Sequence, residues 1–359
     1  METELQRLIK VFSTATASLC YCYYVVSRIP KGVTRLIFIL PAIILFTLLP
    51  FNLHTFHFGC TIAFFLIWLG NFKLLLFAFD LGPLSNPKSL AQFITTASFP
   101  INVKQIEFKS PAPNKTLKSS LLFLTKFILL LSTIYLFQFD YKRFLHPDLV
   151  LIVYCFFMYL ACENFLAVSV LPIKLFLGHQ FYFDPQFNDP YLSTSLQDFW
   201  GRRWNLMVTT ILRPSIYDPV RRALAAILGP RPASFAATVA AFAVSGLMHE
   251  IIWFYLTRVS PTWEVTRFFV LHGVCTAAEA AAKRAVGGRV RVPAAVSTPL
   301  TLVFLALTAK WLFFPQLLRN GVDEWAISEY APLVEIVKKT KNWMELNVVG
   351  SIGGSHAIW

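Results

Sequence analysis

Ser245–Glu250 reads SGLMHE and lies inside an apolar run from about Ala233 to Thr257. A run of that length crosses a bilayer core as a helix, which takes roughly 20 residues at ~1.5 Å each. His249 and Glu250 interrupt it. A charged group at the centre of a membrane helix costs on the order of 3 kcal/mol. Such residues are kept where they face a protein interior. His249 therefore reads either as a hydrogen-bonding partner of a neighbouring helix or as a base buried in the membrane. Glu250 is one residue on, about 100° round the helix, and reads as a structural support.

The rest of the chain agrees with a membrane setting. Of its 359 residues 56% are hydrophobic and 14% charged, where soluble domains carry roughly 25% charged residues. Hydropathy predicts an all-α, polytopic membrane protein with about eight transmembrane helices around a buried chamber. The runs are Leu8–Val26, Val33–Pro50, Phe56–Phe79, Ser119–Phe139, Leu149–Leu171, Ala233–Thr257, Val265–Val286 and Val296–Leu318. With no internal repeat and no low-complexity linker, residues 1–359 read as one domain. METELQRLIK lacks a basic n-region with a cleavage site, so the first run reads as a retained helix.

The net charge is +13. Basic residues gather in alternate connections: Arg28 to Arg35, Lys88 to Lys118, Arg202 to Arg231 and Lys283 to Arg291. By the positive-inside rule these four face the cytosol. They form no single soluble basic face, which argues against nucleic acid. Lys73, Lys126 and Lys310 lie in or near spans and are expected to snorkel to the headgroups. Ser89–Phe99 suits a short interfacial helix, and Pro332–Asn342 an amphipathic surface helix. The six cysteines lie in apolar segments without zinc-ligand or disulfide spacing.

A second motif, SLQDFWGRRWN, covers Ser195–Asn205. Trp200 and Trp204 suit a membrane interface. Arg202, Arg203 and, further on, Arg213 offer planar donors for phosphates, or else are topology-setting charges. In order, SLQDFWGRRWN and SGLMHE resemble the membrane-bound O-acyltransferase family. That family carries an Asn in an aromatic motif and a His in a later apolar helix. NFKLLLFAFDLGPL, Asn71–Leu84, is similar to the wax synthase branch, the long-chain-alcohol O-fatty-acyltransferases. The resemblance puts the functional Asn on Asn205 and the His on His249. It implies acyl-CoA as co-substrate with no further cofactor and no metal. It implies a lipophilic alcohol as acceptor and the endoplasmic reticulum as location. The oligomeric state stays open. The HE dipeptide is also similar to the sterol and diacylglycerol acyltransferase branches, so both acceptors remain alternatives. The small residues of Ala236–Gly246 and Thr276–Ala282 are compatible with a wide cavity or with close helix packing.

Ester formation from a thioester needs a hydroxyl made nucleophilic beside the carbonyl. An imidazole accepts a proton near neutral pH, which suits His249. The Asn205 amide can orient the acceptor or hydrogen-bond the thioester oxygen as charge develops on it.

Rival motifs are weaker. HEIIW has Trp253 where a zinc protease has its second His. No GxSxG elbow occurs, and no Gly-rich phosphate loop. His179–Asp184, HQFYFD, has the HxxxxD spacing of soluble-type acyltransferases, and His272 is a further intramembrane His. A proton-coupled transporter is the alternative of another class, built on Glu163, His249, Glu250, His272 and Glu279. It lacks the inverted repeat common among transporters.

Overall fold

The computed structural model describes residues 2–101, 103–105, 113–177, 181–183, 185–287 and 292–340. Every apolar run becomes a helix. Glu4–Tyr24 starts on a reciprocal cap between Thr3 and Gln6, which satisfies two orphan N–H groups. Val33–Asn52, Phe56–Ala78, Pro147–Leu171, Pro230–Thr257 and Ala294–Phe313 are long and apolar enough to cross a membrane. Among the described residues those five are the spans that length and composition support, fewer than the eight expected. Glu4–Tyr24, Pro113–Leu136 and Glu264–Ala285 are also long helices. The first and last carry several charges, and the apolar part of the second shortens to Ser120–Leu136.

The expected interfacial helix is Leu90–Ser98, capped by Ser89. Residues 331–340 are helical; the remainder of the expected tail helix, with Lys341, lies outside the described residues. So do Lys109, Arg289 and Arg291. One feature departs from an all-helical chain. Val103–Gln105 and Phe181–Phe183 pair as a two-stranded antiparallel ribbon, Val103 opposite Phe183.

Two apolar clusters share the Phe56–Ala78 helix. One joins it to the first two helices and Leu90–Ser98, around Leu19, Phe46 and Phe93. The other joins it to Pro147–Leu177, Pro230–Thr257, Glu264–Ala285 and Ala294–Phe313, around Trp68, Trp253, Phe269 and Phe313. The second cluster surrounds the chamber described below.

The Pro230–Thr257 and Glu264–Ala285 helices cross closely because of two glycines. A Cβ on Gly246 would stand 2.9 Å from Thr266 Cα, and one on Gly273 would stand 2.7 Å from Phe242 Cβ. Some of the small residues thus serve close packing. Gly246→Ala is expected to destabilise the protein by roughly 1–3 kcal/mol, the usual range for overpacking. A lowered unfolding temperature in detergent would register it, and an unchanged one would refute the close crossing.

Lys73 overturns the snorkelling expectation. Its side chain is fully buried, and Nζ donates to the Thr96 and Phe99 carbonyls, both at 2.6 Å. These are end carbonyls of the Leu90–Ser98 helix, which lack intrahelical partners. The ammonium stays inward because it ties that helix to the span. Lys126 is likewise buried, whereas Lys310 is half exposed and pairs with Asp148.

Candidate active site

The SLQDFWGRRWN segment is fastened before it reaches Asn205. Ser195 caps the short Leu196–Asp198 turn through the Asp198 N–H. Glu279 accepts from Leu196 N–H at 2.9 Å, and Lys283 donates to Ser195 Oγ at 2.9 Å. Both come from the Glu264–Ala285 helix. Arg203 donates to Asp198 at 2.7 Å and to the Asn188 and Asp189 carbonyls at 3.1 and 3.2 Å. Its guanidinium is therefore occupied inside the protein, a departure from the phosphate-binding role expected for it. Behind it, buried Lys126 bridges Glu163 at 2.8 Å and Asp189 at 3.1 Å. Glu163 and Glu279, read earlier as intramembrane polar residues, are thus consumed in holding the motif.

Phe199–Arg203 is a π-helical turn, and it aims Trp200 at the Glu264–Ala285 helix. Trp200 Nε1–H donates to His272 Nδ1 at 3.1 Å. An indole only donates, so His272 Nδ1 is unprotonated and Nε2 carries the hydrogen. Nε2–H meets Thr308 Oγ1 at 2.8 Å, and that hydroxyl donates to Phe304 O at 2.7 Å. Both nitrogens of His272 are engaged, so it is a packing residue rather than a free base. Trp204 stacks on Phe199 with ring centroids 5.2 Å apart.

His249 is arranged differently. Nδ1 lies 2.8 Å from the Ser245 carbonyl one turn back. A carbonyl only accepts, so Nδ1 carries the hydrogen and Nε2 holds the lone pair. No hydrogen-bond partner for Nε2 occurs among the described residues. The ring stacks on Phe269 with centroids 4.1 Å apart, and Trp68, Trp253 and Phe313 surround it at 4.9, 5.6 and 6.0 Å. The aromatic cage fixes the ring plane and leaves one basic nitrogen. Nothing in the sequence marked Trp68, Phe269 or Phe313, since aromatic residues are common throughout the chain. Glu250 points away. Its Oε1 accepts from Thr266 N–H at 3.2 Å, an orphan donor in the first turn of the Glu264–Ala285 helix.

Asn205 has left-handed backbone angles, φ 40° and ψ 65°. Asn is among the few side chains that tolerate that region. The residue opens the Leu206–Leu212 helix without capping it, and its Oδ1 is buried with no partner among the described residues.

His249 and Asn205 line one chamber of about 1280 Å³. Trp200, Trp204 and Arg213 line it too; Arg202 is solvent-exposed and does not. On the Phe56–Ala78 helix the wall includes His57, Thr61, Phe64 and Trp68, with Phe56, Cys60 and Phe65 beside them. Four π-helical stretches, Ala63–Gly70, Phe199–Arg203, Arg213–Tyr217 and Ala309–Phe313, all contribute to the wall. Such stretches recur at functional sites. Thr238, Ala241, Ser245, Thr276 and Ala280 also face the space, so small residues give width there.

Among the described residues, two lining residues other than histidine carry charge, Arg213 and Asp323. They stand at opposite ends. Arg213–Tyr217 contacts Asn71–Ala78, whereas Val322–Ser328 contacts Phe56–Ile62. At the second end His57 Nδ1 meets Glu329 Oε2 at 2.7 Å, and Asp323 accepts from Tyr154 and Lys142 at 2.8 and 2.9 Å. Of the five residues that a transporter reading would string together, only His249 faces the chamber. His179 and Asp184 of the HxxxxD spacing lie outside the described residues.

An apolar chamber lined by His249, with Nε2 unengaged among the described residues, and by Asn205, with Oδ1 unpartnered, suits a membrane enzyme acting on chain-bearing substrates. Comparison with known proteins narrows the class. Residues 183–271, which include both motifs, match the membrane bound O-acyl transferase family. The chain is 46% identical to a long-chain-alcohol O-fatty-acyltransferase of Simmondsia chinensis, over 94% of this chain and 97% of that one. It is 45% identical to the "Probable long-chain-alcohol O-fatty-acyltransferase 1" of Arabidopsis thaliana, over 94% and 98%. It is 40% identical to acyl-CoA–sterol O-acyltransferase 1 of the same plant, over 92% and 97%. The chain belongs to the membrane-bound O-acyltransferase family and is an acyltransferase.

Proposed function

We propose that this enzyme, acting as a single unit over residues 1–359, moves a fatty acyl group from acyl-CoA to a long-chain primary alcohol, making a wax ester in the endoplasmic reticulum membrane. The observation that carries the chemistry is the His249 Nδ1 contact with the Ser245 carbonyl. It holds Nδ1–H and leaves Nε2 as the basic nitrogen of a ring that lines the chamber. Nε2 takes the alcohol proton as the oxygen attacks the thioester carbonyl. The Asn205 amide donates to the oxygen on which negative charge gathers. The tetrahedral intermediate collapses with cleavage of the C–S bond. The proton passes from His249 to the leaving sulfur, giving free CoA and the ester. Apolar walls suit the chains, since each methylene removed from water contributes ~0.8 kcal/mol.

The CoA phosphates belong at the Arg213 end, because Arg213 is the cationic side chain among the described residues that line the chamber. Arg202 and Arg213 have exposed side chains, Arg213 with Asp218 4.0 Å from its Nε, whereas Arg203 is tied to Asp198 at 2.7 Å. R202E and R213E together are expected to raise the KM for acyl-CoA several-fold and to flatten its dependence on salt. Their kcat should change little. An unchanged KM would return these arginines to a purely topological role.

The acceptor assignment rests on the identity with the alcohol acyltransferases. The sterol relative at 40% keeps a second reading open. Competition tests it: one labelled acyl-CoA with equal hexadecanol, sterol and diacylglycerol in the same membranes. Hexadecyl ester should predominate. A majority of steryl ester or triacylglycerol would replace the acceptor and leave the transfer mechanism standing.

A further inference from the structure

Asn205 stands at the N-cap of the Leu206–Leu212 helix, yet its side chain makes no cap bond. This is unusual, because Asn at that position normally accepts from the N–H two or three residues on. Those first N–H groups have no intrahelical partner and need one. Here another residue supplies it. Gln186 accepts twice, its carbonyl from Leu206 N–H at 2.8 Å and its Oε1 from Met207 N–H at 3.0 Å. The Gln186 amide is held in turn, with Nε2 donating to Pro100 O at 3.1 Å. The segment is stitched further by Asn188 N–H, which donates to Arg203 O at 2.9 Å.

We infer that Gln186 is a positioning residue for the transfer reaction: by capping the Leu206–Leu212 helix from outside, it releases the Asn205 carboxamide to face the chamber. The inference rests on the reading of Asn205 as the group that meets the reacting oxygen. An Asn that capped its own helix would spend Oδ1 on Met207 or Val208 N–H, and its amide would turn out of the chamber. The strained left-handed backbone at Asn205 and the partnerless Oδ1 are then two aspects of one arrangement. Without Gln186 Oε1, Met207 N–H loses its acceptor, and the partnerless Asn205 Oδ1 is a carbonyl oxygen at the cap position of the same helix.

The test uses the full-length protein in detergent or liposomes. Gln186→Met keeps the length of the side chain and removes the acceptor. It is expected to lower kcat about tenfold, the size of a cap's preference, with the KM for acyl-CoA unchanged. Gln186→Glu keeps an acceptor oxygen beside a helix N-terminus, which favours an anion, and should stay within about threefold of wild type. In an Asn205→Ala background, Gln186→Met should cost nothing more, because coupled residues are non-additive. An equal loss in both backgrounds, or a Gln186→Glu enzyme as poor as Gln186→Met, would overturn the inference. A cryo-EM map of the Gln186→Met protein decides the same point without an assay. The Asn205 amide should be folded back onto Met207 N–H; an amide still facing the chamber refutes the idea. Should Asn205→Ala itself turn over normally, the catalytic reading of Asn205 falls, and the map alone judges the capping claim.

Discussion

His249→Ala is expected to abolish ester synthesis while the protein still inserts, folds and elutes as wild type. General base catalysis contributes typically ~10²–10⁴-fold, and among the described residues no other histidine joins His249 in its aromatic cage. His272 is engaged through both nitrogens. His57, the other chamber histidine, sits on the Phe56–Ala78 helix 11 residues from Trp68, roughly 16 Å along the helix axis at ~1.5 Å per residue. The expected loss is therefore ~10³-fold or more, and His249→Gln, which keeps a donor for Ser245 but no basic nitrogen, should fare no better. Steady-state rates at saturating acyl-CoA and alcohol measure it, with a melting curve as the folding control. A variant close to wild-type turnover would mean the base lies elsewhere. His57→Ala and His179→Ala would then be read for it.

Asn205→Ala is expected to lower kcat by ~10²-fold, comparable to the loss of one positioned donor at a developing oxyanion. Both KM values should stay near wild type, because an interaction made only in the transition state leaves ground-state binding alone. The backbone adds a second effect in the same direction. Alanine is poorer than asparagine at positive φ, so some of the loss would come from a relaxed turn. Asn205→Gly separates the two, since glycine accepts the left-handed angles freely. It should be stable and still slow. A change confined to the alcohol KM would make Asn205 an orienting group for the acceptor instead.

Much of this site is visible in the sequence, and the reason is the solvent. In a run as apolar as Ala233–Thr257, a histidine is conspicuous because lipid penalises it. The same contrast exposes the long apolar runs as helices, five of which, among the described residues, are long and apolar enough to cross. What stays hidden is what polar groups do to one another. Arg203 and Arg202 are adjacent and alike in the sequence, yet one is bound to Asp198 and the other faces solvent. Lys73 looks like a snorkelling lysine until two helix-end carbonyls are seen to hold it inside. His272 and His249 are equal candidates by composition. Only Trp200 and Thr308, brought in from distant segments, distinguish them. Gln186 carries no motif at all, and the role inferred for it follows from hydrogen bonds to Leu206 and Met207, about 20 residues on.

The most direct measurement is a single reaction with purified protein in sealed liposomes, with no ion gradient. Labelled acyl-CoA and hexadecanol are supplied, and ester and free CoA are counted together. The account predicts one ester for each CoA released by the wild-type enzyme and neither product above background from His249→Ala. Ester formation by His249→Ala at the wild-type rate, or a wild-type protein that makes no ester from any lipid alcohol, would contradict it.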